Sequence, residues 1–273
     1  MITGVNNRSI LVDISFKRNL MPKQLVLFSH GFKGFKDWGP FNHMSEYFAK
    51  NNIIFVKFNF SHNGTTVNNP SKFDDLDAFG NNNFCKELDD LSLVIDWLLK
   101  FKEIQNDFDI SNIALFGHSR GGAISVLKTM EDNRIRKVVS WASPSNLLKR
   151  LPSGEKLQNW KKTNIAYVYN GRTKQHMPMY YQFYQNTISN RKRLNIKNAV
   201  SSIKIPYLII HGTNDNTVLV DESYHLKSWN QESVLYTIAD ADHVMGSFHP
   251  YNRTEFPKFF KEAMDVTISF LKQ

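Results

Sequence analysis

Residues 113–130 impose the strongest local constraint on this chain. Ile113 to Phe116 is a short apolar strand candidate, Gly117-His118-Ser119-Arg120-Gly121-Gly122 follows at once, and a helical pattern then runs to about Met130. The first five residues of that turn fit G-x-S-x-G, the pattern of a nucleophile elbow. A strand that passes so abruptly into a helix forces the serine into a strained backbone conformation above the sheet edge. Small residues must flank it, or strand and helix collide, and Gly117, Gly121 and Gly122 meet that need. The five-residue pattern alone recurs by chance, and its bland reading is a tight turn with a serine cap. Its position between a strand and a helix is what makes it informative.

The rest of the chain alternates in the same way. Strands are expected at Ser9 to Phe16, Gln24 to Ser29, Ile53 to Phe60, Ile135 to Trp141, Pro206 to Ile210 and Val234 to Ile238. Helical spacing of apolar residues predicts helices at Phe41 to Lys50, Cys85 to Phe101, Asp221 to Trp229 and Phe256 to Leu271, the last with Thr254 as its cap. Strands alternating with helices imply an α/β fold: a mostly parallel central sheet with helices on both faces. Two stretches break the rhythm. Ser61 to about Asn83 is a polar, Gly- and Asn-rich loop, long enough to suggest function or mobility. Residues 143–200 lack clean alternation and carry Trp160 with Tyr167, Tyr169, Tyr180, Tyr181 and Tyr184, which suggests a lid inserted into one domain spanning 1–273.

A serine hydroxyl needs a base to take its proton. The base should follow the last strand, where Ala239-Asp240-Ala241-Asp242-His243-Val244 offers His243. His249 competes but lies further from the strand end and reads as a loop residue. The imidazole in turn needs a carboxylate to fix its tautomer. Asp215, just past the strand that ends at His211-Gly212, is the candidate. Asp240 and Asp242 are closer in sequence but are better placed to shape their own loop. The order serine, aspartate, histidine is the one this architecture uses. Two backbone N–H groups must face the oxyanion. Arg120, after the nucleophile, supplies one, and Phe32 in His30-Gly31-Phe32 supplies the other. Every piece falls at the carboxyl ends of strands, where an open α/β sheet builds its sites.

Taken together, His30-Gly31-Phe32, Gly117-His118-Ser119-Arg120-Gly121-Gly122, Gly212-Thr213-Asn214-Asp215 and Asp242-His243 resemble the α/β-hydrolase superfamily. The resemblance covers nearly everything outside 143–200. It is nearest to the branch of feruloyl and cinnamoyl esterases, dienelactone-hydrolase-like enzymes and prolyl-oligopeptidase-like peptidases. It implies serine hydrolysis of esters or peptides without metal or organic cofactor, and it places the oxyanion donors on Phe32 and Arg120. Many esterases of this branch carry glutamine where this chain has Arg120, so mechanism transfers more readily than substrate.

Composition narrows the alternatives. The single cysteine, Cys85, forms no internal disulfide and reads as a small buried apolar residue. No apolar run is long enough for a membrane span, and the N-terminus has no leader pattern, so a cytoplasmic location is the default and a secreted chain with its leader removed the alternative. The formal net charge is +9. Its local runs are short, and no zinc spacing or RNA-binding aromatic pattern accompanies them, so nucleic acid is not an expected partner. A small-molecule ester is the expected substrate, cleaved by Ser119. A peptidase or amidase with the same triad is the second reading; it would need carboxylates for a free N-terminus, for which Asp74, Asp75 and Asp77 are the candidates. A non-catalytic binding protein on the same fold is the third. Arg172, Lys174 and the run Arg191-Lys192-Arg193 are weighed as contacts for an anionic substrate, with solvated surface as the plainer reading.

Overall fold

The computed structural model describes residues 1–273. The strands are β1 (Ile2–Thr3), β2 (Ser9–Ile10), β3 (Val12–Ser15), β4 (Lys23–Ser29), β5 (Ile54–Phe58), β6 (Phe108–His118), β7 (Ile135–Trp141), β8 (Ile165–Asn170), β9 (Gln175–Tyr180), β10 (Tyr207–Gly212) and β11 (Val234–Ile238). The helices are α1 (Phe41–Lys50), α2 (Leu76–Gly80), α3 (Phe84–Leu98), α4 (Arg120–Lys128), α5 (Gly154–Thr163), α6 (Gln182–Ser189), α7 (Ile196–Ser202), α8 (Asp221–Trp229) and α9 (Lys258–Leu271). The central sheet has seven strands in the order β11-β10-β7-β6-β4-β5-β3. Only β3 runs antiparallel to its neighbour. The alternation predicts this mostly parallel sheet, and the order is that of the α/β-hydrolase fold which the resemblance implies.

Side chains that alternate along the central strands build a separate core on each face. In β4 and β6, Leu25, Leu27, Ile113 and Leu115 join α3, α4, α7 and α8 on one side. Val26, Phe28, Ala114 and Phe116 join α1 and α9 on the other. Strands buried on both faces read as continuous apolar runs, which is why Leu25-Val26-Leu27-Phe28 is so uniform.

Several boundaries differ from the sequence expectation, each for a local reason. The strand expected at Ser9 to Phe16 is divided: Ser9 and Ile10 pair with β1, while Val12 to Ser15 pair with β5. Strand β6 begins at Phe108, five residues before Ile113, through a register shift beside Lys23. Lys23 is itself buried and pairs with Asp107 at 2.5 Å. Thr254 does not cap the last helix. That helix starts at Lys258 with Pro257 in the cap position and no side-chain cap bond. The proline disfavours helical backbone at the preceding residue, so Phe256 stays outside the helix. It stacks on Phe260 from there, at a ring separation of 6.0 Å.

The two irregular stretches meet each other. Within 143–200 lie α5, the antiparallel hairpin β8–β9, α6 and α7. Within 61–83 lies α2, capped by Asp75, whose carboxylate accepts from Ala78 N–H at 2.9 Å. The hairpin rests on α2. Tyr180 donates its hydroxyl to Asp77 at 3.0 Å, and Gln182 Nε2 donates to the carbonyls of Asn82 and Gly80 at 2.8 and 3.3 Å. Gln175 Nε2 reaches Phe73 O at 3.1 Å. At the tip, Lys33 Nζ donates to Tyr169 O at 3.2 Å and Arg172 to Lys33 O at 2.5 Å. The tyrosines of this segment divide: Tyr181 and Tyr184 pack on the core, while Tyr167 and Tyr169 are exposed. No helix is long and apolar enough to cross a membrane.

Candidate active site

The turn between β6 and α4 is as tight as its sequence suggested. Ser119 has φ 57° and ψ −125°, a region that L-residues seldom occupy without cause. A Cβ built on Gly117 would lie 2.1 Å from the carbonyl oxygen of Gly121, and one on Gly121 would lie 2.1 Å from Ser29 O. Strand, turn and the neighbouring strand β4 are therefore in backbone contact, with no room for a methyl group. Gly117→Ala is expected to destabilise the protein by about 4 kcal/mol, lowering the melting temperature by roughly 10 °C in a calorimetric or dichroism melt. A melting point within a degree or two of the parent would refute the argument.

His243 stands over this turn. Its Nε2 accepts from Ser119 Oγ at 3.0 Å, and its Nδ1–H donates to Asp215 Oδ2 at 2.7 Å. The other oxygen, Asp215 Oδ1, accepts from Thr217 and Val218 N–H, both at 2.8 Å. Burial alone would raise the Asp215 pKa, but hydrogen bonds from His211 and His243 outweigh it and hold the carboxyl well below its ordinary value. The carboxylate stays ionised at any pH near neutrality.

Two histidines that the sequence reading passed over support this arrangement. His211, at the end of β10, is fully buried; its Nε2–H donates to Val218 O at 2.8 Å and lies 3.3 Å from Asp215 Oδ2. His118, immediately before the serine, donates Nε2–H to the carbonyl of His243 at 2.7 Å. Burial holds His118 neutral, with its pKa lowered to about 3. Its only advance signal was its place in the elbow motif. The competitors in the same loop have other tasks. Asp242 Oδ1 accepts from Val244 and Gly246 N–H at 3.2 and 2.7 Å, bracing the turn that carries His243. His249 is not a simple surface residue: its Nδ1 accepts from Gly39 N–H at 3.0 Å, and its ring packs edge-on against Phe35.

The segment 30–32 passes beside the serine: a Cβ on Gly31 would lie 3.0 Å from that of Ser119. Phe32 N–H has no acceptor within the chain. Arg120 is the first residue of α4, where an N–H has no intrahelical acceptor. The Arg120 side chain turns away from solvent, with its guanidinium 4.0 Å from the Phe32 ring centre and 3.3 Å from buried Glu87 Oε1. Phe84 and Phe183 cover it further, at 5.0 and 5.5 Å.

Ser119 opens into a pocket of about 230 Å³. Its walls are mainly apolar, from Phe32, Phe84, Leu147, Leu151, Val168, Met179, Phe183 and Val218, and no carboxylate lines it. Asp75 instead pairs with Arg8, Asp77 accepts from Tyr180, and Asp74 accepts from Asn69. The basic residues weighed earlier lie elsewhere too: Arg172 sits over Trp38, and Arg193 pairs with Glu131 and Asp89. No group of three or more His, Cys, Asp or Glu residues is placed to hold a metal ion.

Among solved structures, Est1E from Butyrivibrio proteoclasticus with ferulic acid bound is similar at a TM-score of 0.74 and 18% identity, with 100% of both chains covered. The monoacylglycerol lipase of Paleococcus ferrophilus is similar at a TM-score of 0.66 and 16% identity, over 96% of this chain and 98% of that one. A puromycin-hydrolyzing peptidase of Mycobacterium tuberculosis matches at a TM-score of 0.62 and 14% identity, over 99% of this chain but 38% of its own. At such identities the likeness is one of fold. No curated protein sequence matches the chain. The BD-FAE family model matches residues 75–230, more than half of the chain and the stretch that carries the serine turn and Asp215. With the sheet order, the strained serine and this match in hand, the chain belongs to the BD-FAE family and is an esterase of the α/β-hydrolase superfamily.

Proposed function

We propose that the protein is a serine hydrolase that cleaves small or medium carboxylic esters through an acyl-enzyme. The observation that carries this reading is the continuous hydrogen-bonded line from Ser119 Oγ through His243 to Asp215, at 3.0 and 2.7 Å. In the proposed cycle, His243 Nε2 takes the hydroxyl proton as Ser119 Oγ attacks the ester carbonyl carbon. Asp215 stabilises the imidazolium that results. The carbonyl oxygen becomes an oxyanion and draws the free N–H groups of Phe32 and Arg120. His243 returns its proton to the departing alkoxide, the alcohol leaves, and the acyl group remains on Ser119. Water activated by His243 then reverses the sequence and releases the acid. Residues 143–200 act as the cap: Leu147, Leu151, Val168, Met179 and Phe183 all come from it and form most of the apolar wall.

A fluorophosphonate probe tests this reading directly. It is expected to label the protein stoichiometrically, with the mass shift on the peptide that contains Ser119 and no labelling of Ser119→Ala. Attachment to another residue, or labelling that survives the substitution, would remove Ser119 from the proposed role.

A further inference from the structure

The electrostatics of the pocket carry one step further, resting on the hydrolytic reading above. We propose that Arg150 makes this site selective for esters that carry an anionic group, a carboxylate in the first instance, beside the bond to be cut. Two guanidinium groups line the Ser119 pocket, and they are not equivalent. Arg120 has its charge balanced by Glu87 and its faces covered by aromatic rings. Arg150 lies at the end of the single helical turn Leu148–Arg150 and is exposed, with no carboxylate within ion-pair distance. Its one polar partner is the carbonyl of Thr217, at 3.4 Å from NH1.

That leaves most of a five-donor fork free, in a geometry that suits a carboxylate better than a point charge would. The position of the fork matters as much as its charge. Arg150 also lines a second pocket of about 590 Å³, which shares Leu151, Val168, Met179 and Phe183 with the first. Lys156 adds a further cation there, and again no carboxylate is present. A substrate lying across both pockets would therefore meet an apolar wall of cap residues and two cations without counter-charges. Such low-dielectric walls concentrate the field on an incoming anion. The Thr217 contact also places Arg150 beside the loop that holds Asp215.

Two matched ester pairs test the proposal, one with the charge on the alcohol side (4-acetoxybenzoate against 4-acetoxybenzamide) and one with it on the acyl side (the monophenyl ester of terephthalic acid against its amide). In at least one pair the anionic member is expected to show a kcat/KM ten or more times that of the neutral one at low ionic strength. Salt should erode the ratio, and Arg150→Gln should bring it close to unity. A ratio near one for both pairs in the wild type, or a preference that Arg150→Gln leaves intact, overturns the assignment. Calorimetric titration of the same compounds into Ser119→Ala gives a readout independent of turnover. Absence of hydrolysis of all four esters would count against the serine-hydrolase reading, while tighter binding of the anionic members that is lost with Arg150→Gln would still support the role of the cation, and equal binding of both members would refute it.

Discussion

Ser119→Ala is expected to lower kcat for a short p-nitrophenyl ester by about 10⁶-fold. In the proposed cycle, the substitution removes the one atom that would bond to the carbonyl carbon and leaves the rest of the assembly in place. Alanine keeps the Cβ that already fits beside Gly31, and it removes no hydrogen bond except the one to His243 Nε2. The melting temperature should therefore move little. Whatever rate remains over the uncatalysed reaction would come from binding and from the N–H groups of Phe32 and Arg120, an effect of about 10³–10⁴ in a comparable constellation. Steady-state assays beside a thermal melt check both halves of the expectation. A variant that keeps more than a few per cent of its activity would show that hydrolysis proceeds without the hydroxyl.

The second large effect is expected from Asp215→Asn, with a loss in kcat of about 10⁴-fold. The hydrogen bonds of the carboxylate decide which way the amide would lie. Oδ1 accepts two backbone N–H bonds, from Thr217 and Val218, and only the amide oxygen can replace it there. The amide nitrogen must then occupy the position of Oδ2 and point its hydrogens at His243 Nδ1. A donor facing Nδ1 selects the tautomer with its proton on Nε2, and that nitrogen can no longer accept from Ser119. The expected signature is a fall in kcat with little change in KM and an unchanged fold. A loss of less than tenfold would mean that His243 takes its orientation from elsewhere.

The parts of this molecule legible in the sequence are those fixed by short-range backbone demands. A strand passing into a helix through three glycines left few alternatives for residues 117–122, and the observed strain at Ser119 follows from it. The meeting of Asp215 and His243 was readable because each follows a strand of the sheet closely. What was not readable depends on contacts between distant segments. The hairpin β8–β9 was not readable because its covered face, Ala166, Val168, Met177 and Met179, packs on the core and the pocket through contacts with distant segments, and polar bonds to residues 33 and 73 complete its seat. None of the tyrosines of the cap lines the pocket beside Ser119, whose rings come from Phe32, Phe84 and Phe183. Nothing local to Arg150 shows that it reaches the Ser119 pocket, because that depends on residues distant in the chain. The helix start at Lys258 rather than Phe256 turned on Pro257, a local signal that the apolar stripe outweighed.

The bond from His118 to the main chain of His243 has a mechanical consequence. Because its donor is covalently adjacent to Ser119, any drift of the elbow drags the imidazole loop along with it. The bond therefore couples the position of the His243 loop to that of Ser119. A tether one residue from Ser119 thus adds to the bracing by Asp242 in keeping the hydroxyl and the imidazole in register.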